Sequence, residues 1–224
     1  MDTDFSEQRV KMVDGQVRTT DVTDAALLEA MLEVPREAFV GFRHRELAYI
    51  DEHIEIAEAS GSLPARYLME PSPFAKLVQL AEIQPSDFVL DIGCGTGYSA
   101  AVLSRLASSV IALESDSGLA KRASSTLSEL GCDNVAVVTG SLREGYPSEA
   151  PYDVILLEGA VEELPETLFE QLREGGRLVA VEGGGNAGVA RLFLKNAGVI
   201  SGRSAFNAAI RPLPGFERIR TFEF

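Results

Sequence analysis

The sequence predicts an α/β protein with a mostly parallel sheet of about seven strands behind an N-terminal helical extension. Three observations support this prediction. Residues before 84 have helical spacing, residues after 84 alternate short apolar runs with helical segments, and a glycine-rich turn follows the first apolar run. Strands that alternate with helices form parallel sheets with right-handed crossovers. We therefore expect residues 1–84 to pack as an extension on a single core formed by residues 85–224.

The N-terminal segment contains two stretches with clear helical periodicity. Thr23 is placed to cap a helix that runs to Glu33, and Ser72 with Pro73 forms a cap and first-turn pair for a second helix. The aligned apolar residues are Ala26, Leu27, Ala30 and Met31 in the first helix, and Phe74, Leu77, Val78 and Ala81 in the second. Residues 41–70 have no long period, so we expect loops there.

The core segment alternates strands and helices. The runs predicted as parallel strands are Phe88–Ile92, Val110–Glu114, Val135–Thr139, Asp153–Leu157 and Arg177–Val181. The segments predicted as helices are Tyr98–Leu106, Ser117–Leu130, which Gly131 ends, and Glu166–Arg173. Three further strand-like runs follow in the tail, at Val189–Leu194, Ala208–Pro212 and Glu217–Phe224.

The turn after the first strand has the form of a nucleotide-binding loop in a Rossmann-like sheet. The sequence FVLDIGCGTGY places Asp91 at the strand end, followed by Gly93, Gly95 and Gly97. Glycines let the backbone pass close to a ligand, and the N-terminus of the next helix offers free N–H groups. A glycine turn without a ligand is the alternative reading of this loop.

The glycine spacing separates two classes of cofactor. A dinucleotide fingerprint has the spacing G-x-G-x-x-G. Here the spacing is Asp-x-Gly-x-Gly-x-Gly, and bulky Tyr98 follows the last glycine. That pattern is typical of S-adenosylmethionine (SAM) methyltransferases, because an acid such as Asp91 stabilises the cationic amino group and sulfonium of SAM. The spacing thus disfavours a nicotinamide oxidoreductase.

A second acid stands where a ribose-binding residue is expected. In nucleotide-binding sheets, an acidic residue about 20 residues beyond the glycine turn hydrogen-bonds the ribose hydroxyls from the tip of the second strand. Glu114 ends the apolar run VIALE in that place. A carboxylate has two oxygens for two vicinal hydroxyls. A solvated strand-end charge is the alternative for Glu114 taken alone, but together with the Asp91 loop it indicates a cofactor site.

Composition limits the remaining classes of function. The chain has 224 residues and a net charge of −14, which disfavours nucleic-acid binding. No run approaches the ~18 apolar residues of a membrane helix, and the N-terminus is polar, unlike a signal peptide. Two cysteines, Cys94 and Cys132, and two histidines, His44 and His53, do not form a disulfide framework or a metal site. We expect a cytoplasmic protein that binds no metal, nucleic acid or membrane.

Over most of its length the chain resembles the protein-L-isoaspartate O-methyltransferase family. The resemblance covers MVDGQVRTTDVTDAALLEAMLEVPREAFV, DIGCGTGYSAAVL, PYDVILLEGAVEELPETLFEQLREGGRLV and AIRPLPGFE, in the family's order. It implies SAM as cofactor, a protein or peptide carboxylate as acceptor, and repair of isoaspartyl residues as function. The predicted cofactor-binding residues are Asp91, Gly93, Cys94, Gly95, Gly97, Tyr98, Glu114, Ser115, Ser141, Leu142 and Glu158. No catalytic residue is assigned.

The chain departs from the family on the acceptor side. The family motif Gly-Gln-Thr-Ile-Ser-Gln-Pro is replaced by ARYLMEP, so its hydroxyl positions fall on Tyr67 and Met69. Met69 cannot donate to a carboxylate, and Glu70 adds a negative charge where an anionic acceptor would approach. Two further departures are Ser141, where the family has an acid for the adenine amino group, and Glu158, where it has a small or hydroxyl residue.

Three hypotheses follow from this pattern. The first is a SAM-dependent isoaspartyl O-methyltransferase, which needs no general base because its carboxylate acceptor is already ionised at pH 7. The second is a methyltransferase for another acceptor, with Glu158 as a base toward a hydroxyl or amine. The third is a noncatalytic SAM-binding protein. Arg66, Tyr49 and Tyr67 are candidates for an acceptor cleft, with packing or solvent exposure as the alternative.

Overall fold

The computed structural model describes residues 4–61, 63–184 and 187–218. Their strands are β1 (Ile54–Ala57), β2 (Arg66–Leu68), β3 (Phe88–Ile92), β4 (Ser109–Glu114), β5 (Val135–Thr139), β6 (Tyr152–Val161), β7 (Leu172–Glu182), β8 (Val189–Asn196) and β9 (Val199–Asn207). Seven of them form one sheet in the order β5-β4-β3-β6-β7-β8-β9. The strands from β5 to β7 run parallel, while β8 and β9 are antiparallel to their neighbours. The predicted sheet is confirmed, including its five parallel strands.

Helices cover the sheet and form the extension. They are α1 (Phe5–Met12), α2 (Ala25–Glu33), α3 (Pro71–Ala81), α4 (Tyr98–Leu103), α5 (Ser117–Glu129) and α6 (Glu166–Glu170). A π-helical turn at Val13–Val17 and a 3-10 helix at Phe42–Leu47 lie between them in the extension. Across the parts of the chain that the structure describes, no helix has the length and apolarity needed to cross a membrane.

Two predicted helix starts were wrong by one or two residues. Asp24, not Thr23, caps α2, because its carboxylate accepts the N–H of Leu27 while the N–H of Thr23 donates to Gln79. Helix α3 begins at Pro71 rather than after Ser72. A proline suits the first helical position because its missing N–H would have no partner there.

Two predicted helix ends were also wrong. Helix α4 stops at Leu103 rather than Leu106, and α6 stops at Glu170 rather than Arg173. The second difference has a clear cause, because Leu172 already pairs with Tyr152 in the sheet. The end of the segment with helical spacing therefore belongs to strand β7.

The tail and the stretch before α3 differ more from expectation. Residues 208–212 form no strand but only a bridge from Pro212 to Ala160, whereas β9 was missed because most of its side chains are exposed. The predicted run Glu217–Phe224 lies largely outside the described residues. Strands β1 and β2 form an antiparallel hairpin within residues 41–70, where only loops were expected. These strands are four and three residues long, too short for a periodic signal.

The extension and the core share one hydrophobic cluster. This cluster contains Leu27 and Met31 of α2 together with Val89 of β3 and Val154 of β6. A second cluster fills the opposite face of the sheet and includes Leu90 and Ile92. The alternation of side chains along β3 thus sends neighbouring residues into different layers. The division of the chain near residue 84 stays a prediction.

Candidate functional site

Three acidic side chains lie at the carboxyl edge of the central strands. Asp91 on β3 is level with Leu156 on β6, and Glu114 is the last residue of β4. Glu158 lies one position beyond the residue of β6 that pairs with the end of β3. Parallel neighbours present their carboxyl ends at one edge, where ligands bind in open α/β sheets. The fold therefore brings three of the predicted site residues together.

The glycine loop is held tightly against β4. Gly93, Gly95 and Gly97 have φ angles of 84°, 58° and 97°, a region that side chains disfavour. The N–H of Gly93 donates to the carbonyl of Leu113 at 2.8 Å. The hydroxyl of Thr96 donates to the carbonyl of Phe39 at 2.6 Å, which ties the loop to the extension. The predicted glycines thus form a rigid turn above the strand ends.

Asp91 is fully buried with one oxygen unpaired. Its Oδ2 accepts the hydroxyl of Ser99 at 2.6 Å, whereas Oδ1 has no hydrogen-bond partner among the described residues. Burial is the main cause that raises the pKa of Asp91 to about 7, and the negative charge of Glu114 adds to it. A cationic ligand group would both satisfy Oδ1 and favour the ionised form. The residue therefore fits the amino group of SAM.

Glu114 is fully buried and already has partners for both oxygens. Arg66 of β2 donates from Nη1 to Oε1 at 2.5 Å and from Nη2 to Oε2 at 2.9 Å. Three backbone N–H groups, of Gly95, Ser115 and Asp116, also donate to this carboxylate. The expected partners were ribose hydroxyls, and the structure instead shows a buried bidentate ion pair. Arg66, expected to line an acceptor cleft, to pack or to face solvent, thus packs at the predicted cofactor site.

The β1–β2 hairpin and the tail cover the glycine loop. Arg66 also donates to the carbonyl of Gly93 at 3.1 Å. A Cβ added to Gly95 would lie 2.7 Å from Ile56 of β1, and one added to Gly93 would lie 2.5 Å from Leu213. The glycines are therefore needed here for close packing against side chains of this same chain.

The acceptor side is nearly closed. A cavity of only about 10 Å³ lies between Tyr67, Met69, Glu158 and Arg211, which is about the space of one water molecule. Oε1 of Glu158 is buried there without a partner among the described residues. Burial, with a contribution from Asp91, raises the pKa of Glu158 well above its usual range, although Arg36 opposes this. The Arg211 guanidinium stacks 4.8 Å from the Tyr67 ring centre.

A buried arginine in the extension was missed by the sequence analysis. Arg36 is fully buried and donates to the carbonyls of Ala48 at 2.8 Å and Met69 at 2.5 Å. Its guanidinium lies 4.7 Å from the ring centre of Tyr98. Burial lowers the pKa of Arg36. The segment PREAFV shows a charged residue among apolar ones, but no periodic signal marks it as buried.

Tyr98 and Tyr49 pack toward the extension. The Tyr98 ring lies 5.7 Å from Phe39, centre to centre, and its buried hydroxyl has no partner among the described residues. The Tyr49 hydroxyl accepts from Arg9 at 3.0 Å and donates to Glu37, so this side chain packs in the extension rather than lining a cleft. A cofactor contact of Tyr98 stays a prediction.

The other predicted cofactor residues lie near the strand ends. Cys94 is buried within the loop, and burial raises the pKa of its thiol. The Ser115 hydroxyl donates to Glu114 at 3.2 Å. Ser141 is exposed directly after β5, and Leu142 is buried in the second hydrophobic cluster. Their roles toward a cofactor stay predictions.

Comparison with known proteins shows the family of this chain. The family model described as protein-L-isoaspartate(D-aspartate) O-methyltransferase matches residues 7–214. The chain belongs to this family. A protein-L-isoaspartate O-methyltransferase of Koribacter versatilis is 37% identical over 213 residues, which are 95% of this chain and 93% of that protein. One of Methanoculleus marisnigri is 38% identical over 176 residues, which are 79% of this chain and 77% of that protein.

Solved structures of protein-L-isoaspartate O-methyltransferases have the same fold. One is 29% identical with a TM-score of 0.80 and covers 92% of this chain, which spans 66% of that chain's length. Another, from Plasmodium falciparum and in complex with S-adenosyl-L-homocysteine, has a TM-score of 0.74, covers 95% of this chain and 99% of its own, and is 19% identical. At that identity the second structure supports the fold alone.

Proposed function

We propose that the protein is a SAM-dependent O-methyltransferase that methylates carboxylates of isoaspartyl residues in proteins or peptides, the first step of their repair. The family match over residues 7–214 carries this proposal. The site supports it, since Asp91 holds an unpaired buried oxygen at the edge where Glu114 and the glycine loop meet. A cytoplasmic location belongs to the same proposal and is supported by two buried free cysteines, Cys94 and Cys132.

The chain offers a distinct residue to each part of the cofactor. Asp91 Oδ1 would hold the cationic amino group, Glu114 the ribose hydroxyls, and the exposed Ser141 with Leu142 the adenine. When bound, SAM supplies an electrophilic methyl group on its sulfonium. The positive φ angles of the glycine loop turn its backbone past the strand ends, beside Asp91 and Glu114. The role of the protein in this reaction is to position the reactants and to exclude water.

An ionised carboxylate acceptor needs no proton removed. The chain therefore has to orient the acceptor rather than activate it. Arg36 helps to shape the acceptor segment, because its Nη2 holds the carbonyl of Met69 at 2.5 Å. The cavity beside Met69 is too small for an isoaspartyl side chain, so the acceptor side has to open for the reaction.

A different methyl acceptor is the second candidate function. It is favoured by the unpaired Oε1 of Glu158 beside Met69, where an anionic acceptor would approach. A protonated Glu158 would donate to an acceptor oxygen, and an ionised one would accept a proton from a hydroxyl or amine. The choice between these two functions is a choice between acceptor chemistries, because both use the same cofactor site.

Transfer of labelled methyl from SAM to an isoaspartyl peptide tests the proposal. We expect labelling of that peptide and not of its normal aspartyl twin. Asp91→Asn should abolish the signal, because it removes the charge at the cofactor site, and it serves as the control for nonenzymatic labelling. Folded protein that binds SAM but labels neither peptide would reject the isoaspartyl acceptor and favour the second candidate.

A further inference from the structure

We propose that Arg66 is a gate of the cofactor site. Its guanidinium occupies the side of Glu114 that the ribose would use, so the cofactor enters only when the β1–β2 hairpin moves away. This inference rests on the proposed function, since it concerns access to that same site. It goes further by assigning the arginine of the ARYLMEP segment to control of cofactor binding rather than to the acceptor.

The hydrogen bonds of Glu114 leave no place for a ribose. Oε1 accepts from Arg66, from the N–H groups of Ser115 and Asp116, and from the Ser115 hydroxyl, while Oε2 accepts from Arg66 and Gly95. A carboxylate has about four lone-pair sites. The backbone donors are fixed by the loop, so room for a ribose comes only from the side-chain donors, Arg66 and Ser115. Departure of Arg66 frees the two directions along which the guanidinium approaches, one at each oxygen.

The hairpin provides the moving part. Within the described part of the chain, strands β1 and β2 pair only with each other, outside the seven-stranded sheet. Ile56 covers Gly95 and Arg66 covers Gly93 and Glu114, so one displacement would uncover both. The described residues of the connecting turn, 58–61 and 63–64, are exposed. Arg122 on α5 donates to the carbonyl of Ile56 at 3.1 Å and fastens the hairpin over the loop.

Charge favours movement of Arg66 out of the site over binding of the cofactor beside it. The cofactor brings positive charge to the site, and a guanidinium held within a few ångströms would repel it. Loss of Arg66 leaves Glu114 with its backbone donors, so a buried carboxylate without any partner does not result. The apparent dissociation constant of a ligand rises as the fraction of the open form falls. The closed hairpin should therefore weaken cofactor binding in the native protein.

Calorimetric titration with S-adenosyl-L-homocysteine tests the gate without measuring activity. We expect Arg66→Gln to bind at least about tenfold more tightly than the native protein. Arg122→Gln loosens the hairpin and keeps the Arg66–Glu114 pair, so its affinity should rise by a smaller factor. This variant tests the gate if Arg66→Gln does not fold. Arg43 is exposed and lies near β1, so Arg43→Gln removes an equal charge nearby and should leave the affinity unchanged.

Cys94 gives a second measurement that needs no ligand. Its thiol is buried in the glycine loop, next in the chain to Gly93, whose carbonyl accepts from Arg66. The other cysteine is removed by Cys132→Ala. We expect a thiol reagent to label Cys94 several-fold faster in Arg122→Gln, which loosens the hairpin and keeps the charge of Arg66 near the thiol, than in the parent. Arg43→Gln should be labelled at the parent's rate.

The outcomes distinguish failure of the gate from failure of the proposed function. Tighter binding together with faster labelling supports the gate. Equal or weaker binding by Arg66→Gln, with the native protein binding well, overturns the gate and leaves the proposed function intact. Folded protein in which no variant binds the ligand rejects the cofactor site and the gate with it.

Discussion

The cofactor edge and the acceptor segment of this protein are built in opposite ways. At the cofactor edge, Asp91 is the penultimate residue of β3 and Glu114 the last residue of the adjacent β4. The loop and helix that follow these strands donate to both carboxylates, and Arg66 is the one distant partner among the described contacts of Glu114. On the acceptor side, Met69, Glu158 and Arg211 come from three distant parts of the chain and enclose a cavity of about 10 Å³. The first region follows from strand register, whereas the second depends on how separate segments meet.

This difference shows where a family can change its chemistry. A substitution at Asp91 or Glu114 would leave buried N–H or O–H donors without an acceptor, which costs about 1–3 kcal/mol for each group. Met69 contributes only a packed side chain and a carbonyl that Arg36 holds. The acceptor segment can therefore vary in residue type without loss of the fold, and in this chain it departs from the family motif.

The largest effect is expected from breaking the buried pair at the cofactor edge. Glu114→Ala should lower the free energy of unfolding by about 3 kcal/mol, because Arg66 and three backbone N–H groups lose their acceptor. Urea denaturation measures this change. Arg66→Ala should cost less, since Glu114 keeps its backbone donors.

A surface ion pair serves as the matched control. Glu163 pairs with Arg143 at 3.3 Å, with half of the Glu163 side chain exposed. Glu163→Ala should change the free energy of unfolding by less than about 0.5 kcal/mol. Equal losses of unfolding free energy in Glu114→Ala and Glu163→Ala would mean that the buried pair at the cofactor edge stabilises the fold no more than an exposed ion pair does.

The sequence predicted the cofactor edge well because its signals are local. The strand Phe88–Ile92 was located residue for residue, and the acid that ends β4 lies beside the loop as expected. A buried parallel strand produces a continuous apolar run, and a glycine turn has a short pattern. The same local patterns placed all five parallel strands.

The partner of Glu114 could not be predicted from such patterns. Arg66 lies 48 positions before Glu114 in the chain and in a strand of only three residues. Arg36 likewise pairs with the backbone of segments far along the chain. A charged side chain normally indicates a solvated position, so its burial becomes visible only when the segments are brought together. Strand β9 was missed for the opposite reason, because its side chains are mostly exposed.

An intermediate effect is expected from protonation of Asp91. Its pKa of about 7 means that it is mostly neutral at about pH 5.5 and half ionised at pH 7. Because the ionised form pairs with the cationic cofactor, the affinity for SAM should rise about tenfold over this range. Calorimetric titration across that range measures it. Asp91→Asn should bind weakly at every pH.

Substitution of Ser99 tests the same pKa of Asp91 in a second way. The Ser99 hydroxyl donates to Asp91 and holds its pKa down, so Ser99→Ala should move the midpoint of SAM binding to higher pH.

The native state also binds the Asp91 proton more tightly than the unfolded chain, in which the pKa of this group is near 3.8. Stability contributed by this group therefore falls as pH rises from about 4 to 7. Asp91→Asn should remove that part of the slope, and an unchanged slope would contradict the assignment.

The smallest effect is expected on the acceptor side, at Glu158. Burial raises the pKa of this carboxyl well above its usual range, so it keeps its proton to higher pH than an exposed glutamate does. At pH values where Glu158 is protonated, Glu158→Gln should change the KM for an isoaspartyl peptide by less than about twofold. Once rising pH ionises Glu158, the native enzyme should show a higher KM than the variant, by roughly fivefold, because the ionised side chain repels the acceptor carboxylate.

The pH profile distinguishes repulsion from proton transfer. If Glu158 only repels, the KM of Glu158→Gln stays flat with pH while that of the native enzyme rises, and kcat is nearly equal in the two. Glu166→Gln, which changes an exposed acid on α6, should follow the native profile. Loss of transfer by Glu158→Gln at every pH would instead make Glu158 a base toward a neutral acceptor. The altered acceptor segment would then serve a different acceptor chemistry, while the cofactor edge would still bind the same cofactor.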